Sequence, residues 1–243
     1  MIRVRNLSCG YDVPVLRDIT FETDGNLCIL GPNGIGKSTL LKALSGLLPF
    51  HGDVTLLGRP LTDYTPRERA RIVTYIPTEL LSHDPYVSAL DFVLLGRYPH
   101  LETFGRIDTD TRREALRRLE ADGIEPDKPL SALSSGQRQL LLIAQALMQR
   151  SRMLCFDEPT ANLDPYHQYR FFRALAALPS AYLRLVVTHD LAFARALGYP
   201  VLFLHRDGAR MFDHEAFFTA ATLSKLYGVT FKNHPCLGGD YDA

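Results

Sequence analysis

Short β-rich, mostly apolar runs fall at 27–30, 73–76, 153–156 and 183–188, separated by longer stretches with helical spacing. Runs this short read as buried strands. Their alternation with helices is the pattern of a mostly parallel sheet wrapped by helices. The alternation stops between about Ser88 and Arg150, where 88–95, 109–122 and 135–150 all read as helix, broken by Pro99, Gly105, Gly123 and Pro129. The expected architecture is therefore one α/β domain over 1–243, with a core of 1–87 and 151–243 and a helical subdomain, 88–150, inserted in it. Residues 1–5 alternate like a strand, and antiparallel β elements are expected at the N-terminus. Residues 200–213 read as a hairpin closed near Asp207-Gly208, and 221–227 as a terminal helix.

Composition narrows the possible classes. A chain of 243 residues, 46% of them hydrophobic, suits one large domain with ample material for a core. Lys and Arg number 27 and so do Asp and Glu, so no global field attracts a polyanion, and a nucleic-acid partner is disfavoured. The longest apolar stretches, such as 140–147, fall short of the ~20 residues a spanning helix needs. The N-terminus lacks the order of a secretory signal, so a cytoplasmic location is expected. Cys9, Cys28, Cys155 and Cys236 form no CxxC pair and read as buried, reduced thiols. Within 109–122 the arginines 112, 113, 117 and 118 leave Ala115, Leu116 and Leu119 as an apolar stripe, which makes the charged side a solvated helix face.

The strongest local signal is Gly31-Pro32-Asn33-Gly34-Ile35-Gly36-Lys37-Ser38, a G-x-x-x-x-G-K-[ST] loop. It follows the run 27–30 and opens a helix expected over 39–48, which is the context the motif requires. Its glycines let backbone N–H groups converge on phosphate oxygens, and the helix start adds positive potential. Lys37 reaches the β- and γ-phosphates and Ser38 ligates Mg²⁺. With Gly near 7% of residues, the bare pattern arises by chance in roughly one chain of this length in a hundred. The candidate nucleotide residues here are Gly31, Asn33, Gly34, Gly36, Lys37, Ser38 and Thr39.

The run 153–156 ends in Asp157-Glu158, two carboxylates at a strand's carboxyl end. Asp157 is placed to hold Mg²⁺ through water, and Glu158 to polarise the attacking water as general base. An apolar strand closed by Asp-Glu is common and usually structural by itself. Its weight comes from lying downstream of a phosphate loop.

Leu133-Ser134-Ser135-Gly136-Gln137 precedes this strand and resembles the signature motif of ATP-binding cassette (ABC) ATPases. Other elements of that family follow in order: Tyr11 near the start, Ala161-Asn162-Leu163-Asp164 after Glu158, and Val187-Thr188-His189 at the end of a later strand. The similarity covers nearly the whole chain. It implies that Tyr11 stacks on adenine, that His189 contacts the γ-phosphate, and that Asp164 helps join two subunits. Ser134, Ser135, Gly136 and Gln137 would address the ATP bound to the opposite subunit. Individually each residue has a duller reading: Tyr11 as a packing aromatic, His189 as a surface residue, Ser134 as a helix N-cap. Those readings would all have to hold together in one prescribed order.

Leu94-Leu95-Gly96-Arg97-Tyr98-Pro99-His100 and the closing stretch 223–229 resemble importers of iron-siderophore, haem, cobalamin and related metal-chelate or oxyanion cargo. The resemblance implies an ATP- and Mg²⁺-dependent subunit at the cytoplasmic face of the inner or plasma membrane. Its partners would be a second copy of itself, a transmembrane permease and, indirectly, a substrate-binding protein. A soluble ABC ATPase without a permease, and an exporter subunit, are the alternatives. Two positions depart from the family. Ser135 stands where glycine is common, and Thr78, in Tyr75-Ile76-Pro77-Thr78, stands where Gln ordinarily touches Mg²⁺ and water. Thr78 is too short for that contact, and Glu79 beside it would point to the opposite face of a strand.

Overall fold

The computed structural model describes residues 1–80, 84–102, 105–161 and 163–231. In chain order it begins with β1 (Ile2–Gly10), β2 (Pro14–Thr23), β3 (Leu27–Leu30), α1 (Lys37–Leu44), β4 (Phe50–Leu56) and β5 (Arg59–Pro60). Then come α2 (Pro66–Ala70), β6 (Val73–Ile76), α3 (Ala89–Leu95), α4 (Thr109–Ala121), α5 (Ser135–Gln149), β7 (Met153–Asp157) and α6 (Pro165–Ala176). The chain closes with β8 (Leu183–Val187), α7 (Leu191–Leu197), β9 (Val201–His205), β10 (Gly208–Phe212), α8 (His214–Phe217) and α9 (Ala220–Tyr227). None of the helices among the described residues is long and apolar enough to cross a membrane.

Two compact units emerge, 1–64 with 183–243, and 65–182. In the first, β1 is the centre of an antiparallel sheet, pairing β2 (Val4↔Phe21) on one side and β4 (Val4↔Val54) on the other. Ile2, Val4, Leu7 and Cys9 bury one face of β1. A second ladder joins β3 to β8 and to β9, both parallel, and β10 to β9 by an antiparallel hairpin. All four residues of β3 are fully buried, as a strand in a parallel ladder covered on both faces requires.

In the second unit β6 and β7 run parallel, with Tyr75 opposite Cys155 and Ile76 opposite Phe156. Helices α3, α4 and α5 pack on one another. On α4 the buried positions are Thr111, Ala115 and Leu119, four residues apart, while Leu116 is only half-buried. Ala115 and Leu119 of the expected stripe are thus buried, with Thr111 joining them in place of Leu116. The 94–100 segment is stitched to the end of α5. A Cβ on Gly96 would lie 2.2 Å from the Gln145 carbonyl oxygen, so only glycine lets the two helices approach this closely. Arg97 Nη1 donates to the Met148 carbonyl at 3.2 Å, and the His100 ring donates from Nε2 to the Gln149 carbonyl at 2.7 Å. The Pro99 carbonyl accepts from Arg67 and Arg71 at 3.0 and 2.8 Å. These bonds satisfy carbonyls that the last turn of a helix leaves open.

Cys9, Cys28 and Cys155 are buried, and burial pushes the Cys9 thiol up to about 11 and Cys28 higher still. Cys236 lies outside the described residues.

Candidate functional site

In the first unit the phosphate loop leaves the buried β3 and enters α1 two residues earlier than the sequence pattern predicts, at Lys37. Gly36 is the N-cap in the left-handed region, φ 105°, and a Cβ there would meet Leu16 Cγ at 2.9 Å. A Cβ on Gly31 would come 2.6 Å from the Leu204 carbonyl oxygen. Gly31 also has a positive φ, 150°, so the loop needs glycine for backbone conformation and for space at both ends. Lys37 is buried, 6% exposed, and its Nζ donates to the Gly31 and Pro32 carbonyls at 3.0 and 3.2 Å. An ammonium folded back over its own loop suits a site built to receive an anion. Asn33 and Gly34 are exposed at the tip, and Ser38 and Thr39 are half-buried at the start of α1.

Tyr11 lies at the turn between β1 and β2, 66% exposed, and its hydroxyl accepts from Lys42 Nζ at 3.1 Å. Lys42 is on α1, so the phosphate-loop helix and the aromatic are tied together. Val15, half-exposed on β2, reaches the loop as well: a Cβ on Gly36 would be 3.1 Å from its Cγ1. His189 stands two residues past Val187, which is paired with Ile29, and Gly31 stands two residues past Ile29. Parallel register thus brings exposed His189 level with the start of the phosphate loop. Buried Thr188 anchors that turn, donating its N–H to the Ile29 carbonyl and accepting from Asp190 N at its hydroxyl, 3.3 and 3.1 Å.

In the second unit Asp157 is the last residue of β7 and 3% exposed. Tyr75 donates its hydroxyl to Asp157 Oδ2 at 2.7 Å. Glu158 follows in the left-handed region, φ 47°, a conformation that costs a non-glycine residue about 1–2 kcal/mol. Backbone strain of this kind gathers at functional sites, and here it falls on the residue predicted to be the base. Thr78 is half-buried and Glu79 exposed, both beyond the end of β6.

Ser134 caps α5 in a capping box: its hydroxyl accepts from Gln137 N at 3.2 Å, and Gln137 Oε1 accepts from Ser134 N, also at 3.2 Å. Lys128 Nζ donates to the same Oε1. Ser135 is exposed at the first helical position and Gly136 is buried beneath it. A Cβ on Gly136 would overlap the His167 ring, 1.9 Å from Cδ2. Asp164 is the N-cap of α6, accepting from His167 N at 2.9 Å and pairing with His167 Nδ1 at 2.8 Å. The His167 backbone and ring bonds hold the Asp164 carboxyl below its ordinary value. The structure thus joins the signature turn to Asp164 through His167. Asn162 lies outside the described residues.

Tyr75, Lys42, Val15 and His167 escaped the sequence reading. Their partners are 21 or more residues away in the chain except for His167 and Asp164, and no local pattern marks them. The His167 contact was open to view only in its local half, as a third residue after an Asp N-cap.

A glycine-bounded phosphate loop on a buried strand, a strand closed by Asp-Glu and a serine-capped signature turn define a P-loop ATPase of the cassette type. The chain belongs to the ABC transporter family, whose sequence model matches residues 17–161. It binds ATP and hydrolyses it. Among its relatives, the hemin import ATP-binding protein HmuV of Thermobifida fusca is 34% identical over 98% of this chain and 86% of its own length. The ferric enterobactin transport ATP-binding protein FepC of Escherichia coli is 33% identical over 94% of this chain and 87% of its own. A solved structure described as a metal-chelate type ABC transporter in an inward-facing conformation superposes with a TM-score of 0.77 at 27% identity, covering 93% of this chain and 88% of that one.

Proposed function

We propose that two copies of this chain, docked on a permease at the cytoplasmic face of the inner or plasma membrane, hydrolyse ATP to import an iron-siderophore, haem, cobalamin or related metal-chelate cargo delivered by a substrate-binding protein. The observation that carries the cargo class is the similarity to a hemin importer subunit and a ferric enterobactin transport subunit over 98% and 94% of the chain. Such coverage includes the helical stretch 88–150, read as an insertion within one ATPase domain.

Within each copy, Gly31 to Thr39 cradle the phosphates, Lys37 neutralises them and Tyr11 supports the base. Ser38 and Asp157 are hard oxygen donors, the ligand type Mg²⁺ takes when it keeps several waters and the substrate phosphates. When bound, Mg²⁺ neutralises the charge developing on the β- and γ-oxygens. Glu158 accepts a proton from the attacking water, and His189 orients the γ-phosphate. Ser134, Ser135, Gly136 and Gln137 face the ATP of the other copy, next to Asp164.

The test is genetic and then biochemical. Deleting the gene should abolish growth on one metal chelate as sole source while growth on simple metal salts persists, and wild-type but not Lys37→Ala protein should restore it. Unchanged uptake of every metal chelate tried would defeat the import reading.

A further inference from the structure

Asp157 is almost fully buried, and a buried carboxylate is costly unless its oxygens are hydrogen-bonded. The Tyr75 hydroxyl supplies such a bond at 2.7 Å, in the range of charge-assisted O–H···O⁻ bonds. Strand geometry explains how it reaches. Tyr75 pairs with Cys155 in the parallel register, and Cys155 and Asp157 share one face of β7 because side chains alternate. Two residues along a strand is about 6.6 Å, a span that the length of a phenol bridges. Phenylalanine would fill the same space without a donor.

We infer that Tyr75 is a positioning residue of the Mg²⁺ site, its hydroxyl fixing the orientation in which Asp157 meets the metal. The inference rests on the reading of Asp157 as a Mg²⁺ residue. A carboxylate offers about four lone-pair sites, so a phenol on Oδ2 leaves capacity for a metal-bound water. Outer partners of this kind typically change metal affinity or activity 10- to 100-fold when removed. Tyr75 also stands three residues before Thr78, so the segment that lacks the usual Gln keeps a direct bond to the metal site through another side chain.

The full-length chain and its Tyr75→Phe variant are titrated with Mg²⁺ at fixed ATP, following hydrolysis. In parallel, Mn²⁺ binding to the ATP complex is followed by electron paramagnetic resonance. ATP affinity is measured separately in chelator. The variant should need about tenfold more Mg²⁺ for half-saturation and bind Mn²⁺ correspondingly more weakly, while its ATP affinity in chelator stays within twofold of wild type. A purely structural role would leave the metal titration in place. Half-saturation within twofold of wild type in both assays overturns the inference. Should Tyr75→Phe melt early, the Mn²⁺ titration at 4 °C, below its melting midpoint, decides by the same criterion. Wild-type hydrolysis that needs no divalent metal would sink the Asp157 reading itself, before any variant is made.

Discussion

Gly136→Ala puts a methyl group where the His167 ring already lies. Ordinary van der Waals contact begins at 3.4 Å and the new Cβ would lie 1.9 Å from Cδ2, a shortfall of about 1.5 Å. The ring can swing away only by giving up its bond to Asp164 at 2.8 Å. Otherwise the start of α5 must move outward. Overpacking of this kind costs about 1–3 kcal/mol, which for a chain of this size lowers the melting midpoint by roughly 4–8 °C at the middle of that range. A shift of about 1 Å in the signature turn would misplace groups addressed to the partner's ATP, and displacements on that scale cost on the order of 10²-fold in rate. The variant should therefore bind ATP as wild type does yet hydrolyse it about a hundredfold more slowly. Removing the obstacle in Gly136→Ala/His167→Ala should recover stability relative to the sum of the single changes, with a coupling of about 1–2 kcal/mol. Calorimetric melts and steady-state hydrolysis of the four proteins complete the cycle. A Gly136→Ala protein that melts and turns over like wild type would refute the packing argument.

Thr78→Gln should raise kcat about tenfold, or roughly 1–2 kcal/mol, with little change in KM, because a restored water contact acts on the transition state; an unchanged kcat alongside a large loss in Glu79→Ala would show that Glu79 carries the role. Asp122 is raised from 3.8 to about 6 by desolvation, with Arg170 and Arg118 opposing. The folded chain thus holds this proton more tightly than the unfolded one, and stability falls as pH rises from about 4 to about 6. Asp122→Asn should accordingly raise the melting midpoint at pH 7.5 and leave it unchanged at pH 4, as scanning calorimetry would show.

Strands β3 and β6 were legible to the residue, since a four-residue run of mostly apolar, β-favouring side chains has few other uses in a chain of this length. Helix α1 was displaced by two residues because Gly36, in the left-handed region, starts it at Lys37. It also ends at Leu44 rather than Leu48, where Ser45 bonds back to the Leu41 carbonyl and Gly46 turns left-handed. The antiparallel sheet centred on β1 was foreseen in kind and not in partner, because pairing Val4 with Val54 depends on contacts across fifty residues. The same limit hid the bond from Tyr75 to Asp157, 82 residues apart. The places of the phosphate loop, ahead of α1, and of Asp157, at the end of β7, were readable because each motif is packed into adjacent residues. Ser134 shows both of its readings in one place: it is the N-cap of α5 and it sits in the signature turn.

The central claim, that ATP joins two copies and Glu158 ends that state, is tested most directly by the mass in solution of Glu158→Gln. The substitution keeps the shape of the side chain and removes the base. Light scattering should show the single-chain mass, 27.3 kDa, without nucleotide and twice that mass with ATP and Mg²⁺, with hydrolysis abolished. A single-chain mass at saturating ATP, or turnover at the wild-type rate, would contradict it.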